Sequence, residues 1–270
     1  FSGISGNMTL GACIDLGVPA EWLKDSLANI PLTDFDLQVS SVARNGITAK
    51  HVHVETSEHH HHRHFSDIVS LIENSPLSAA AKEKSIRIFD KIATAESGIH
   101  GTDKASVHFH EVGGIDAIVD IVGTVLCMEY LGIESVVASK IPLGAGFVNC
   151  AHGTLPVPVP ATVSILKGVP VYGTDIPYEL VTPTGAAIVS TLARSFETLP
   201  EMIVEKIGYG AGTREIESRP NLLRILIGSV SEAAGILKED RTVMIEASID
   251  DMNPEIYGFL MDRLFEDGAL

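Results

Sequence analysis

Residues 35–55, FDLQVSSVARNGITAKHVHVE, decide the fold class. Apolar and polar residues alternate over 35–42 and again over 47–55, the period of strands with one buried face. Between them stands Asn45-Gly46, the dipeptide favoured by a two-residue hairpin turn because both positions need positive φ. The stretch therefore predicts an antiparallel hairpin whose second arm sends His51, His53 and Glu55 to one side and Val52 and Val54 to the other.

Working outward, FSGISGNM is small and glycine-rich and runs into an apolar stretch over 8–16 that fits a helix closed by Gly17. A second helix fits 19–28. Downstream, Ile68, Leu71 and Ile72, then Ile86, Phe89, Ile92 and Ala93, recur at three- and four-residue steps, which predicts helices over 65–74 and 78–97. A short strand over 107–110 leads into a helix over 115–131, and 134–140 suits another strand. The glycine- and proline-rich stretch 143–160 reads as a long structured loop, after which Pro160 or Ala161 opens a short helix ending near Gly168. An edge-like segment over 169–171, a helix over 184–194 and strands near 202–208 and 222–230 complete this part. Residues 231–240 are polar and alanine-rich, and beyond them 243–249 alternates as a strand and 255–265 has helical spacing. The predicted class is α/β, a mixed sheet with flanking helices followed by the start of a second α+β domain. The expected division is a domain over 1–232, a linker over 233–240 and a second domain begun at 241–270, with both chain ends read as trimmed.

The chain has 270 residues, 45% hydrophobic and 20% charged, a composition that folds rather than stays disordered. Nineteen basic against 35 acidic residues give a formal charge of −16, which repels a phosphate backbone, excludes a broad nucleic-acid footprint and attracts cations. No apolar run approaches the roughly eighteen residues of a membrane span, and the start lacks a signal-peptide pattern, so the expected compartment is the cytosol. Cys13, Cys127 and Cys150 form no CxxC pair and are odd in number, so they read as buried small hydrophobes rather than a disulfide or zinc framework.

Histidine carries the chemistry, since imidazole suits nickel, zinc and copper at neutral pH. After His51, His53 and Glu55 come His59, His60, His61, His62 and His64, so up to seven imidazoles lie in one hairpin arm and the stretch after it. Such a run holds a labile ion rather than a fixed geometry; the alternative is a solvated polar loop. A second cluster is VHFHEVG, 107–113, where His108 and His110 share one strand face and Glu111 follows. Asp116 and Asp120 sit four apart at the next helix start. Together these could hold a cation, or the aspartates could simply answer the helix dipole while the histidines are satisfied in a core. His–x–His with neighbouring acids also occurs in metal-dependent hydrolases. His100 and His152, each before a glycine, are weaker candidates.

Two stretches could receive an anion at a helix N-terminus. One is FSGISGN, with Ser2, Gly3, Ser5, Gly6 and Asn7; the other is TPTGAA, 182–187, with Thr182, Thr184 and Gly185. Neither is a Walker loop or a dinucleotide fingerprint, and plain N-capping is the bland alternative. Asp250, Asp251 and Glu255 could hold Mg²⁺ or Mn²⁺ for a nucleotide, or form an N-capped strand-to-helix turn. No GxSxG motif or other nucleophile constellation stands out.

Taken in order, FSGISGNMTLGACIDLGVP, HHHHRHF, AESGIHG, VHFHEVGGIDAIVDIVG, HGTLPVPVPAT, ELVTPTGAA and IDDMNPE resemble the LarC nickel-insertion family across essentially the whole chain. The resemblance implies a CTP-dependent nickel chelatase of the lyase class. It would act on pyridinium-3,5-bisthiocarboxylic acid mononucleotide to form the nickel-pincer nucleotide that lactate racemase uses. It also implies that CTP is split to CMP and diphosphate with Mg²⁺ or Mn²⁺, at a C-terminal nucleotide-binding domain that 241–270 only begins, so this chain alone is expected to be inactive. On that reading Ni²⁺ is collected by the histidine run, presented to the thiocarboxylates around His108, His110 and Glu111, and the ligand's phosphate is anchored by the two glycine-rich stretches, with His152 nearby. The expected partners are the pyridinium mononucleotide, the lactate racemase apoprotein and further copies of the chain, with no nucleic acid or membrane. The alternatives are a metal-dependent phosphate-ester hydrolase using His108, His110, Asp116 and Asp120, and a non-catalytic nickel store or chaperone.

Overall fold

The computed structural model describes residues 2–32, 35–56, 63–104, 107, 109, 114–150, 153–230 and 256–268. The chain divides into two compact units, Phe1–Ser231 and Glu232–Leu270. In chain order the first runs α1 (Gly6–Asp15), α2 (Ala20–Ala28), β1 (Phe35–Arg44), β2 (Ile47–Thr56), α3 (Phe65–Glu73), α4 (Ala79–His100), α5 (Ile115–Tyr130), β3 (Val136–Ala138), β4 (Ile141–Leu143), β5 (Phe147–Cys150), β6 (Gly153–Pro156), α6 (Pro160–Ile165), β7 (Val171–Gly173), α7 (Pro183–Leu192), β8 (Ala193–Phe196), β9 (Met202–Ala211) and β10 (Leu222–Val230). Among the described residues, the second unit contributes α8 (Ile256–Glu266). The architecture is α/β: a four-stranded sheet of order β1-β2-β9-β10 and three two-stranded pairs, β3-β8, β4-β7 and β5-β6. The sheet is mixed, because two antiparallel hairpins join through a parallel contact of β2 with β9 at Lys50 and Gly210.

The first hairpin forms as its sequence demands. Asn45 at φ 47° and Gly46 at φ 80° make the turn, and the pairing runs unbroken from Phe35 opposite Thr56 to Arg44 opposite Ile47. Leu37 and Val52 turn to the main core and are buried, while Ala49, on the opposite face, is buried in a smaller cluster with Ala211 and Leu222.

Two helices, apolar on nearly every side, form the centre. In α1, Leu10, Ala12 and Cys13 have no exposed surface, and in α5 neither do Ile118, Val119, Ile121, Val122 and Val125. A helix buried all round needs neighbours on every side; α1 has β2 and β9 beneath it and α5 above. Glycine lets the helix backbone lie almost on the strands: a Cβ on Gly11 would stand 2.4 Å from the carbonyl oxygen of Lys50, and one on Gly210 would stand 1.8 Å from that of Met8. The long helix α4 is bounded at both ends by its sequence. Ser78 accepts a hydrogen bond from the Ala81 amide at 2.9 Å, and Gly101 ends the helix in the left-handed conformation.

Three local expectations change. Val107 and Phe109 lie outside any strand; their side chains are buried, and the Phe109 ring packs 6.4 Å from both Phe65 and Phe89. The Phe109 amide donates to the Arg63 carbonyl at 3.5 Å. The stretch 143–160 holds a hairpin, β5 with β6, rather than a continuous loop. The helix expected to reach 194 stops at Leu192, because Ala193–Phe196 leaves as β8 to pair with β3. Among the described residues no helix is long and apolar enough to cross a membrane.

Candidate functional site

The two glycine-rich stretches meet. Ile4 and Val181 form a parallel bridge, in which the Ile4 amide donates to the Leu180 carbonyl at 3.0 Å and the Thr182 amide to the Ile4 carbonyl at 3.2 Å. The starts of α1 and α7 therefore lie side by side. Much of each stretch is consumed by this packing. Ser2 is buried and its Oγ donates to the Pro220 carbonyl at 2.7 Å; Gly3, Gly6 and Gly185 are buried as well. Thr182 is an N-cap, its Oγ1 accepting from the Gly185 amide at 3.1 Å, while Thr184 is half-buried in the first turn of α7.

Of the residues expected to bind an anion, Ser5, Asn7 and Thr182 line a cavity of about 480 Å³. Ser5 Oγ donates to Asn7 Oδ1 at 2.6 Å, and Asn7 Nδ2 donates to the Val52 carbonyl at 3.4 Å, which ties this wall to β2. The other walls come from the β5–β6 hairpin through Phe147, Val148 and Asn149, from Pro177–Leu180, and from the turn after β9 through Gly212, Thr213 and Arg214 with Asn221. That turn is fastened from β1 and the first hairpin turn: Arg44 donates to the Gly212 carbonyl at 3.2 Å and pairs with Glu215 at 3.4 Å, and Asn45 Nδ2 donates to the Glu217 carbonyl at 3.4 Å. Asn221 Nδ2 donates to the Arg214 carbonyl at 2.9 Å, and the Arg214 guanidinium lies 5.4 Å from the centre of the Tyr178 ring.

One β2 imidazole adjoins this cavity. His51, half-buried, has its Nε2 3.4 Å from the hydroxyl of Thr213, a lining residue. Burial, then the charges of Arg44 and His53, hold His51 below the ordinary imidazole pKa, which favours the neutral form that ligates a metal. His53 and Glu55 share the His51 face as the alternation predicted, and both are exposed; Glu55 accepts from Gln38 Nε2 across the hairpin at 2.5 Å. His64 is the N-cap of α3, its backbone amide donating to Asp67 at 3.0 Å. His100 pairs with Glu96 one turn back in α4, at 3.3 Å.

The two aspartates of α5 lie near helix starts. Asp116 is exposed, with a carboxylate oxygen 2.3 Å from where a Cβ on the N-cap Gly114 would stand. Asp120 reaches the start of α1, its Oδ2 2.3 Å from a Cβ built on Gly6, and accepts from the Asn7 amide. Burial first, and the Asp116 charge second, push the Asp120 carboxyl well above the usual carboxylate range, against the pull of that amide. Its Oδ1 is enclosed and has no partner among the described residues. A carboxyl group thus already occupies the anion-attracting end of α1. Among the described residues, no three His, Cys, Asp or Glu side chains are grouped to hold a metal ion. His59, His60, His61, His62, His108, His110, Glu111, His152, Asp250, Asp251 and Glu255 lie outside the described residues.

Sequence reasoning missed Phe147, Asn149, Tyr178, Arg214 and Asn221. They come from separate segments with no shared motif, and only the fold brings them to one cavity. The available signal was faint: an aromatic residue in a glycine- and proline-rich stretch, and an arginine in an acidic chain.

A family model described as nickel insertion protein matches residues 1–270. A relative from Geotalea uraniireducens, whose name also refers to nickel insertion, is 50% identical over 272 residues, covering all of this chain and 69% of its own length. One from Dictyoglomus thermophilum, again named for nickel insertion, is 47% identical over 270 residues, with the same coverage. The pyridinium-3,5-bisthiocarboxylic acid mononucleotide nickel insertion protein of Desulfitobacterium hafniense is 48% identical over 274 residues, covering all of this chain and 68% of its own length. No solved structure matches significantly.

Proposed function

The chain belongs to the nickel insertion protein family, and from that premise we propose that it delivers Ni²⁺ to pyridinium-3,5-bisthiocarboxylic acid mononucleotide, acting as a nickel chelatase in the making of the nickel-pincer nucleotide. Nickel is the cargo, collected by His59, His60, His61, His62 and His64 and passed to a more ordered set around His108, His110 and Glu111, with His51 and His53 of β2 as further ligands. Imidazoles release nickel to thiocarboxylate sulfur because the softer ligand holds it more firmly once water is gone. Asp116 and Asp120 position helix starts in this reading.

One observation carries the ligand side: Ser5, Asn7, Thr182 and Arg214, from three segments, line one cavity that His51 adjoins through Thr213. In a chain of net charge −16, an anionic ligand needs such local donors. The first 232 residues would form the ligand- and metal-handling domain, 233–240 the linker, and 241–270 the beginning of the nucleotide-binding domain, where Asp250, Asp251 and Glu255 would hold Mg²⁺ or Mn²⁺ with CTP. The setting is the cytosol, with a homo-oligomer and the lactate racemase apoprotein as partners. The phosphate-ester hydrolase alternative is weakened by the commitment of Asp120 to the start of α1.

The test is calorimetric titration of Ni²⁺ into the chain with His108 and His110 both replaced by alanine and the histidine run intact. Loss of the tighter binding event supports the ordered site, whereas unchanged binding removes it.

A further inference from the structure

We propose that the cavity bounded by the α1 start, the β5–β6 hairpin and the turn after β9 binds an aromatic ring carrying an anionic arm, with Phe147 covering the ring and Arg214 pairing with the anion. Phe147 stands 72% exposed, yet it lines the cavity. A phenyl face left open to water beside a polar cavity suits a flat ring, and most of all a cationic one, which the ring quadrupole attracts. Arg214 is exposed, and among the described residues its guanidinium has no carboxylate partner, although acidic residues outnumber basic ones by 35 to 19. The Tyr178 ring beneath it, 5.4 Å away, and the hydrogen bond from Asn221 to its backbone hold it at the cavity wall. A guanidinium so placed is ready for a phosphate or carboxylate.

The N-terminus of α1 does not supply the anion site, since Asp120 already accepts from the Asn7 amide there. The anion therefore goes to Arg214, with the Thr182 hydroxyl and the second Nδ2 hydrogen of Asn7 as supporting donors, since Ser5 Oγ already donates to Asn7 Oδ1. Identifying the ring as the pyridinium of a mononucleotide rests on the function proposed above; the cavity chemistry demands only an aromatic ring with an anionic arm. With that ligand, the pyridinium lies under Phe147 and the phosphate against Arg214.

The test uses nicotinic acid mononucleotide as a stable pyridinium mononucleotide, ribose 5-phosphate as its ring-free part, and calorimetry on the full chain. Phe147→Ala should weaken the mononucleotide about tenfold, the loss of one aromatic stack, and leave ribose 5-phosphate unchanged, while Phe147→Tyr should restore binding. Arg214→Gln should weaken both probes by about tenfold or more, and raised salt should diminish its difference from the parent. Both residues are exposed, and matching unfolding midpoints would show that the fold is kept. The proposal is overturned if the unaltered chain does not bind the mononucleotide, if it binds ribose 5-phosphate equally well, or if both Phe147→Ala and Arg214→Gln bind like the parent. Nickel uptake, measured on the same samples, separates the two readings. Absent uptake with this pattern intact would end the nickel reading and leave the cavity assignment standing.

Discussion

Replacing Gly210 by alanine tests the central packing of the fold and, through it, the cavity. The new Cβ would stand 1.8 Å from the Met8 carbonyl oxygen and 2.7 Å from the Ala12 amide nitrogen, both backbone atoms of α1. Cβ contacts under 3.0 Å are essentially never seen, so the helix must retreat by about 1.2 Å, the difference between 3.0 and 1.8 Å. No rotamer change can relieve the clash. Retreat would loosen α1, which buries Leu10, Ala12 and Cys13 without exposed surface, so the cost should lie near the upper end for overpacking, about 3 kcal/mol. For a unit of this size that lowers the melting temperature by roughly 6–12 °C. The same shift moves Ser5 and Asn7 on the cavity wall, so ligand affinity should fall as well. Gly98→Ala is the matched control: it sits exposed in α4 with nothing within 4 Å of its Cβ, and it should gain about 0.5–1 kcal/mol. Urea denaturation followed by circular dichroism measures both. A Gly210→Ala chain that unfolds at the parent's midpoint would refute the placement of α1 on β9.

The raised Asp120 carboxyl means that the folded chain holds this proton more tightly than the unfolded one. Its contribution is therefore best below the unfolded value of about 3.9 and is lost as pH rises towards the raised folded value. Asp120→Asn should gain in melting temperature relative to the parent as pH rises above about 4, and a pH-independent difference would contradict this. His51 has the opposite sign: with its folded pKa lowered, the stability it contributes is present above about pH 6.5 and is lost as pH falls through the folded value. Arg44→Gln should raise the His51 titration seen by NMR, and an unmoved midpoint would exclude the Arg44 charge as a cause. Cys13 and Cys127 are buried against each other, and their hydrogen bond, then burial, push the Cys127 thiol up. Both should resist alkylation until the chain is unfolded, and rapid modification of native protein would show that this part of the core opens.

Local pattern carried the fold where a segment's neighbours were already close in sequence. The Asn45-Gly46 turn, the His51, His53 and Glu55 face, and the alternating apolar stripe of α4 needed nothing from afar. Tertiary packing added what pattern could not show: Val107 and Phe109 are buried, with Phe109 against Phe65 and Phe89. Short strands such as β7 and β8 exist only because β4 and β3 lie alongside, so their sequences carry little period of their own. The glycine-rich stretches were recognised as important, but glycine marks close approach as readily as anion binding. Gly6 makes room for Asp120 and Gly185 for the Ile4 carbonyl, and neither fact is written in its own segment. Arg214 and Phe147 became legible only when the chain folded them to one cavity.

The most direct test of the central claim is equilibrium dialysis of the chain against Ni²⁺ at neutral pH, followed by addition of pyridinium-3,5-bisthiocarboxylic acid mononucleotide. Nickel should be taken up by the protein and then be recovered bound to the ligand, with uptake reduced when His59, His60, His61 and His62 are replaced. Protein that takes up no appreciable nickel, or that keeps it in the presence of the sulfur ligand, would contradict the account.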